Sequence, residues 1–134
     1  MQIKKLILTV GIAVIVGLSL GFYFYNKPAD GIADASAVYS LNTNELTDAF
    51  NQNEQLANEK YLGKVIEVSG KVLMTESGER VVITLEGSDM SNVRAEMIKG
   101  FKLDKNIAET NVTLKGKCTG LLLDVVLNEC IILE

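Results

Sequence analysis

No histidine occurs anywhere in this chain, so the side chain that most often serves as general base or metal ligand near neutral pH is missing. Cysteine is nearly as scarce. Cys118 and Cys130 are the only two, too few for the four ligands of a structural zinc site and not in the Cys-x-x-Cys arrangement that makes a thiol reactive. Ser69 and Ser77 have no evident base partner, no Gly-rich phosphate loop is present, and Asp89 and Asp104 stand in turn-like contexts where Asp bonds its own backbone. The sequence therefore predicts no catalytic, cofactor-binding or metal-binding residues, and a protein that is not an enzyme. Aromatics are few: four Phe and four Tyr. Phe22, Tyr23, Phe24 and Tyr25 close the N-terminal segment, Tyr39, Phe50 and Tyr61 precede the first long strand-like run, and Phe101 alone falls among the later strands.

What is abundant is apolar length at the start. Leu6 to Tyr25 is an unbroken apolar run, preceded by Lys4-Lys5 and followed by Asn26-Lys27-Pro28. About 20 such residues match the ~30 Å hydrocarbon core of a bilayer, where a helix satisfies its own backbone groups. A cleaved signal would carry an apolar region of only ~7–15 residues ending in a small-x-small site. This run is longer and ends on aromatics, which suits an interfacial belt. Lys4, Lys5 and the amino terminus, against Lys27 alone, favour a cytoplasmic N-terminus and a domain on the far side. No cysteine lies in or directly after the run, which excludes lipid modification there. The membrane, contacted through residues 6–25, is thus the first expected partner.

Three segments follow from this: an anchor at 1–27, a linker at 28–37 containing the only proline, and one domain at 38–134. Fewer than 100 residues support one modest core. Setting aside Lys4, Lys5 and Lys27 leaves 10 basic residues against 17 acidic ones from Pro28 onward, a net charge of −7. An acidic domain is a poor match for a polyphosphate.

The domain opens with a helical pattern. Asn42 with Glu45 has capping-box spacing, and Leu46, Ala49, Phe50, Leu56, Ala57 and Tyr61 make one stripe, predicting a single helix that runs into a strand near Tyr61-Leu62-Gly63-Lys64. Asn53 interrupts the stripe, either as a polar edge residue bonding a nearby loop or as a ligand contact. The period then becomes two. Ile66, Val68, Gly70, Val72 and Met74 are expected inward on a first strand, then Val81, Ile83 and Leu85 on a second and Val93, Ala95 and Met97 on a third. A short helical turn is expected within 101–110. Val112, Leu114, Gly116 and Cys118 face inward on a fourth strand, with Thr113, Lys115 and Lys117 outward, and Asp124 to Leu133 form a fifth with a bulge at Asn128-Glu129. Gly70 and Gly116 sit at inward positions that permit bending or close backbone approach. The fold class is mainly β: a five-stranded OB-fold-like Greek-key barrel with an N-terminal helix, preceded by one transmembrane helix.

The run Asn44-Glu45-Leu46 through Tyr61-Leu62-Gly63-Lys64-Val65-Ile66-Glu67-Val68-Ser69-Gly70-Lys71-Val72 resembles the opening of the tRNA-anti-like OB-fold family. Val112 to Gly120 and Asp124 to Cys130 resemble its end, so the likeness covers most of residues 41–133. The resemblance implies a small, membrane- or lipid-anchored bacterial protein of uncharacterised activity, with nucleic-acid binding suggested by fold analogy. Oligonucleotide-binding barrels combine a basic groove with stacking platforms. Here the outward positions Val82, Thr84, Arg94 and Glu96 offer one cation and no ring, and Lys71, Lys115 and Lys117 could form only a small basic strip. Lys71, Arg94, Lys115 and Lys117 are the candidate nucleic-acid contacts.

Cys118 and Cys130 fall on consecutive strands of a domain expected on an oxidising side, where a disulfide is open to them; the alternative is two buried thiols. The function expected is a membrane-anchored binding module contacting an envelope protein or small ligand outside the cytoplasm. Single-stranded nucleic-acid binding is the alternative, and a structural subunit of a membrane complex the third.

Overall fold

The computed structural model describes residues 1–26, 31–88 and 91–133. Lys27, Pro28 and Asp89, read above from sequence, lie outside the described residues, as do the side chains of Phe24 and Tyr25.

Helix α1 (Gln2–Asn26) is 25 residues long. At 1.5 Å per residue it extends about 37 Å, and Gln2–Tyr23 is apolar enough to cross a bilayer, as anchors and signal sequences both are. Its polar side chains turn inward on their own helix: Ser19 Oγ donates to Ile15 O at 2.7 Å and Thr9 Oγ1 to Leu6 O at 2.9 Å. Hydrocarbon demands this internal pairing.

Strand β1 (Tyr39–Asn42) precedes helix α2 (Thr43–Gln52). The capping box forms as its spacing requires, with Glu45 N–H donating to Asn42 Oδ1 at 3.0 Å and Asn42 N–H to Glu45 Oε2 at 2.8 Å. The single helix expected over this region is two. Asn53 leaves helical geometry (φ −157°, ψ 95°), closes α2 by donating its N–H to Ala49 O, and opens helix α3 (Glu54–Tyr61) by accepting from Leu56 N–H at 3.1 Å. Asn53 is thus a shared cap. The break resets the phase, so Leu46, Phe50, Ala57 and Tyr61 are buried while Leu56 is 60% exposed.

Five further strands complete the domain: β2 (Val65–Glu76), β3 (Val82–Leu85), β4 (Val93–Met97), β5 (Asn111–Leu121) and β6 (Val125–Leu133). Strand β2 is long enough to serve two neighbours. Its first half pairs with β5 (Val65 with Lys117 through Lys71 with Asn111), and its second half with β3 (Val72 with Leu85 through Glu76 with Val82). β3–β4 and β5–β6 are antiparallel, β4–β6 is parallel, and the β2–β5 pairing closes the barrel. This is the OB-fold-like plan. β1 adds to it as a sixth strand, parallel to β2, with Tyr39 opposite Ile66 and Leu41 opposite Val68.

Ile66, Val68, Val72, Ile83, Leu85, Val93, Ala95, Met97, Leu114, Val125 and Leu127 fill the interior, and α2 and α3 lay Leu46, Phe50, Ala57 and Tyr61 on it. Two glycines mark close approaches. A Cβ on Gly70 would stand 2.5 Å from Thr43 Cγ2, and one on Gly116 would stand 2.4 Å from Cys130 Sγ.

Three further expectations are corrected. Met74 is not inward: the register slips between Val72 and Met74, a bulge at Leu73, and Met74 is 53% exposed. Residues 101–110 form no helical segment; Asn106 Oδ1 takes the Ala108 N–H and Glu109 turns to φ 65°, leaving one turn from Ile107 to Thr110. Lys115, outward in alternation, is nevertheless buried. The bulge at Asn128-Glu129 is present: Glu129 has φ 53°, and Leu127 and Cys130, three apart, both point inward.

Candidate ligand face of the barrel

The outward side of β2's second half, β3 and β4 is a continuous surface. Register aligns Glu76, Val82 and Glu96 in one row and Met74, Thr84 and Arg94 in the next, although Thr84, outward in alternation, is itself buried. Across it run two ion pairs, Arg94 Nη1 to Glu76 Oε2 and Arg80 Nη1 to Glu96 Oε1, both 3.1 Å. Each partner is roughly half exposed, so each bridge contributes only about 0–1 kcal/mol to stability. Their effect is on the field. Each arginine of this surface has a carboxylate of its own beside it, and no aromatic ring stands in either row.

The four candidate nucleic-acid contacts do not converge. Arg94 is on this face. Lys71 pairs with Glu109, whose carboxylate holds the ammonium pKa above its ordinary value. Lys115 is enclosed, donating from Nζ to Ala33 O at 2.9 Å and Ala35 O at 3.0 Å in the turn at 31–35. Lys117 is exposed, opposite Val65, whereas Lys71 lies opposite Asn111, about 20 Å along the strand at 3.3 Å per residue. The basic strip is split and largely occupied.

Cys118 and Cys130 are free, buried thiols. Cys118 lies opposite Leu127, and Cys130 packs against Gly116, which is the arrangement of the second alternative, two buried thiols. Burial raises the Cys118 pKa. Burial, then Glu96 and Glu129, push Cys130 up to about 12. Such thiols are inert nucleophiles. Among the described residues, no three His, Cys, Asp or Glu side chains come together in a group that could hold a metal ion.

One feature escaped the sequence reading. The loop between β4 and β5 flanks a recess of about 550 Å³ lined in part by Leu103, Asp104, Lys105, Ile107 and Ile132. An adjoining recess of about 520 Å³ shares Leu103 and Asp104 and reaches the β2–β3 turn at Ser77 and Gly78. Both depend on loop geometry that periodicity does not encode.

The tRNA_anti-like family model matches residues 1–132. The chain belongs to the tRNA_anti-like family. Among solved structures, this family member is similar to a Klebsiella pneumoniae protein described as a "putative nucleic acid-binding lipoprotein". The TM-score is 0.57 at 15% identity, covering 81% of this chain and all of that one, so the likeness is one of fold. No curated protein matches the chain.

Proposed function

We propose that this tRNA_anti-like family member is a non-catalytic binding module, held at a membrane by α1 with its N-terminus cytoplasmic and its barrel outside. Its partner is an extracytoplasmic protein or small ligand. The observation that carries the choice of partner is the pairing of Arg94 with Glu76 and Arg80 with Glu96 across the ligand face. A polyanion gains affinity by releasing counterions from uncompensated Lys and Arg charge. Here it would first have to displace the protein's own carboxylates, on a domain that is acidic overall. A protein surface of mixed sign meets no such barrier and can pair with both charges of each bridge. Exposed Met74 adds an adaptable apolar contact beside them. A small ligand would instead occupy the recess at Leu103–Ile107.

A photo-crosslinking side chain at Met74, in the full chain within its native membranes, tests this. The reading predicts one discrete protein adduct, lost when Arg94 and Glu96 are both changed to alanine. Adducts with nucleic acid in place of protein would overturn it.

Single-strand binding is the second reading, favoured by the fold shared with the Klebsiella protein and by the family. It requires Arg80 and Arg94 to exchange glutamate for phosphate.

A further inference from the structure

We propose that the hairpin tip Leu122-Leu123 seats the barrel on the bilayer that holds α1. The inference rests on the anchor reading of α1 given above.

The tether supplies the first argument. Four residues, 27–30, separate the end of α1 from Gly31. Fully extended they reach at most about 18 Å. The next segment is not free to lengthen that reach, because Ala33 and Ala35 carbonyls are held by Lys115 on the barrel wall. A domain of this size is roughly 30 Å across, wider than its leash is long. The barrel therefore stays at the bilayer surface, and any apolar projection on its near side meets lipid at high effective concentration.

The second argument is what projects. Leu122 and Leu123, at the β5–β6 turn, are 83% and 89% exposed. They end the strand that holds the tether: Lys115, which binds Ala33 O and Ala35 O, lies on β5, and β5 runs on through Lys117 and Gly120 to the tip, about 23 Å further along at 3.3 Å per residue. Half-exposed Leu62 adjoins the same strand, its Cδ1 3.5 Å from where a Cβ on Gly120 would stand. Lys117 precedes Leu122 by five residues on β5, and Lys60 and Lys64, on either side of Leu62 in sequence, lie over the Tyr39 ring, 5.2 and 5.7 Å from its centroid. Leucine tip, tyrosine and flanking lysines are the composition of the membrane–water interface. Two leucines are too little area for a stable protein interface, which needs about 1,200 Å² or more. Beside a bilayer the tether makes even a weak contact persistent.

The test uses the full chain reconstituted in phosphatidylethanolamine/phosphatidylglycerol vesicles. An environment-sensitive fluorophore is attached at Leu123→Cys, at Ile15→Cys within α1, or at Ser77→Cys on the β2–β3 turn. The native thiols are buried, and the unsubstituted chain measures their residual labelling. Expected are blue-shifted emission and quenching by nitroxide-labelled lipid at Ile15 and Leu123, with Ser77 in water. Adding Leu122→Asp to the Leu123-labelled chain abolishes that quenching. An aqueous Leu123 probe beside a lipid-quenched Ile15 probe overturns the docking and leaves the anchor standing. An Ile15 probe that is not quenched overturns the anchor and the docking with it.

Discussion

Lys115→Met removes the clip that joins the tether to the barrel, and its consequences can be worked from the contacts. The methionine keeps the length and apolar packing of the stem, and it deletes two charge-assisted bonds to Ala33 O and Ala35 O. Bonds to a charged group contribute about 1.5–3 kcal/mol each. The freed carbonyls can return to water, and the released turn at 31–35 regains about 1–2 kcal/mol of backbone entropy per residue. The two effects oppose each other, so the chain relieves the loss by letting the turn go. Global stability falls little, about 1–2 kcal/mol, or roughly 4–15 °C in Tm for a domain this small. Local opening changes far more. If one bond's worth of free energy, about 1.5–3 kcal/mol, is lost from the closed turn, its open population rises roughly 10- to 150-fold. Hydrogen exchange at Asp34 and Ala35, whose N–H groups bond Gly31 O, reads this directly, with β5 and β6 amides as the internal standard. Unchanged exchange at 34 and 35 in Lys115→Met would show that the clip does not hold the tether.

Gly116→Ala places a methyl where Cys130 Sγ already stands and is expected to cost about 1–3 kcal/mol by overpacking; Cys130→Ala in the same chain restores part of that, measured by denaturant titration. The Cys130 pKa is about 12 folded against 9.0 ordinarily, so the unfolded chain gives up this proton first and stability falls as pH rises from 9 towards 12. The difference in stability between wild type and Cys130→Ala should change by about 1.4 kcal/mol per pH unit in that window and stay flat below it. Asn53→Ala removes the N-cap of α3 and is expected to cost about 1 kcal/mol, read as a lower thermal midpoint. Both thiols should resist an aromatic disulfide reagent in the folded chain and titrate fully after unfolding without reductant; a single denatured chain showing neither would establish a disulfide.

The features legible in the sequence were those carried by local pattern. Alternation placed Ile66, Val68, Ile83, Leu85, Val93, Ala95 and Met97 inward, the polar pair Asn128-Glu129 marked its bulge, and Asn42 with Glu45 marked the start of α2. β1 escaped because four residues with two apolar positions, Tyr39 and Leu41, are too short to declare a period. Leu73 and Met74 are both apolar, so nothing in composition distinguished the bulged residue from its neighbour. The helix break at Asn53 was visible as an interruption, but its phase reset needed the actual dihedrals. The site was less legible than the core. Whether Lys115 faces solvent depends on a turn 80 residues away in sequence, and the pairing of Arg94 with Glu76 depends on register carried through the intervening β3. Strand periodicity gives facing; it does not give which charges meet.

The most direct test of a face closed to polyanions is a titration of the full chain in lipid nanodiscs with labelled single-stranded RNA and DNA at low salt, where electrostatic attraction is strongest. It compares wild type with a Glu76→Gln/Glu96→Gln variant, which leaves Arg80 and Arg94 unpaired. The account predicts no binding by wild type and salt-sensitive binding by the variant. Tight, salt-steep binding by wild type, unchanged in the variant, would contradict it.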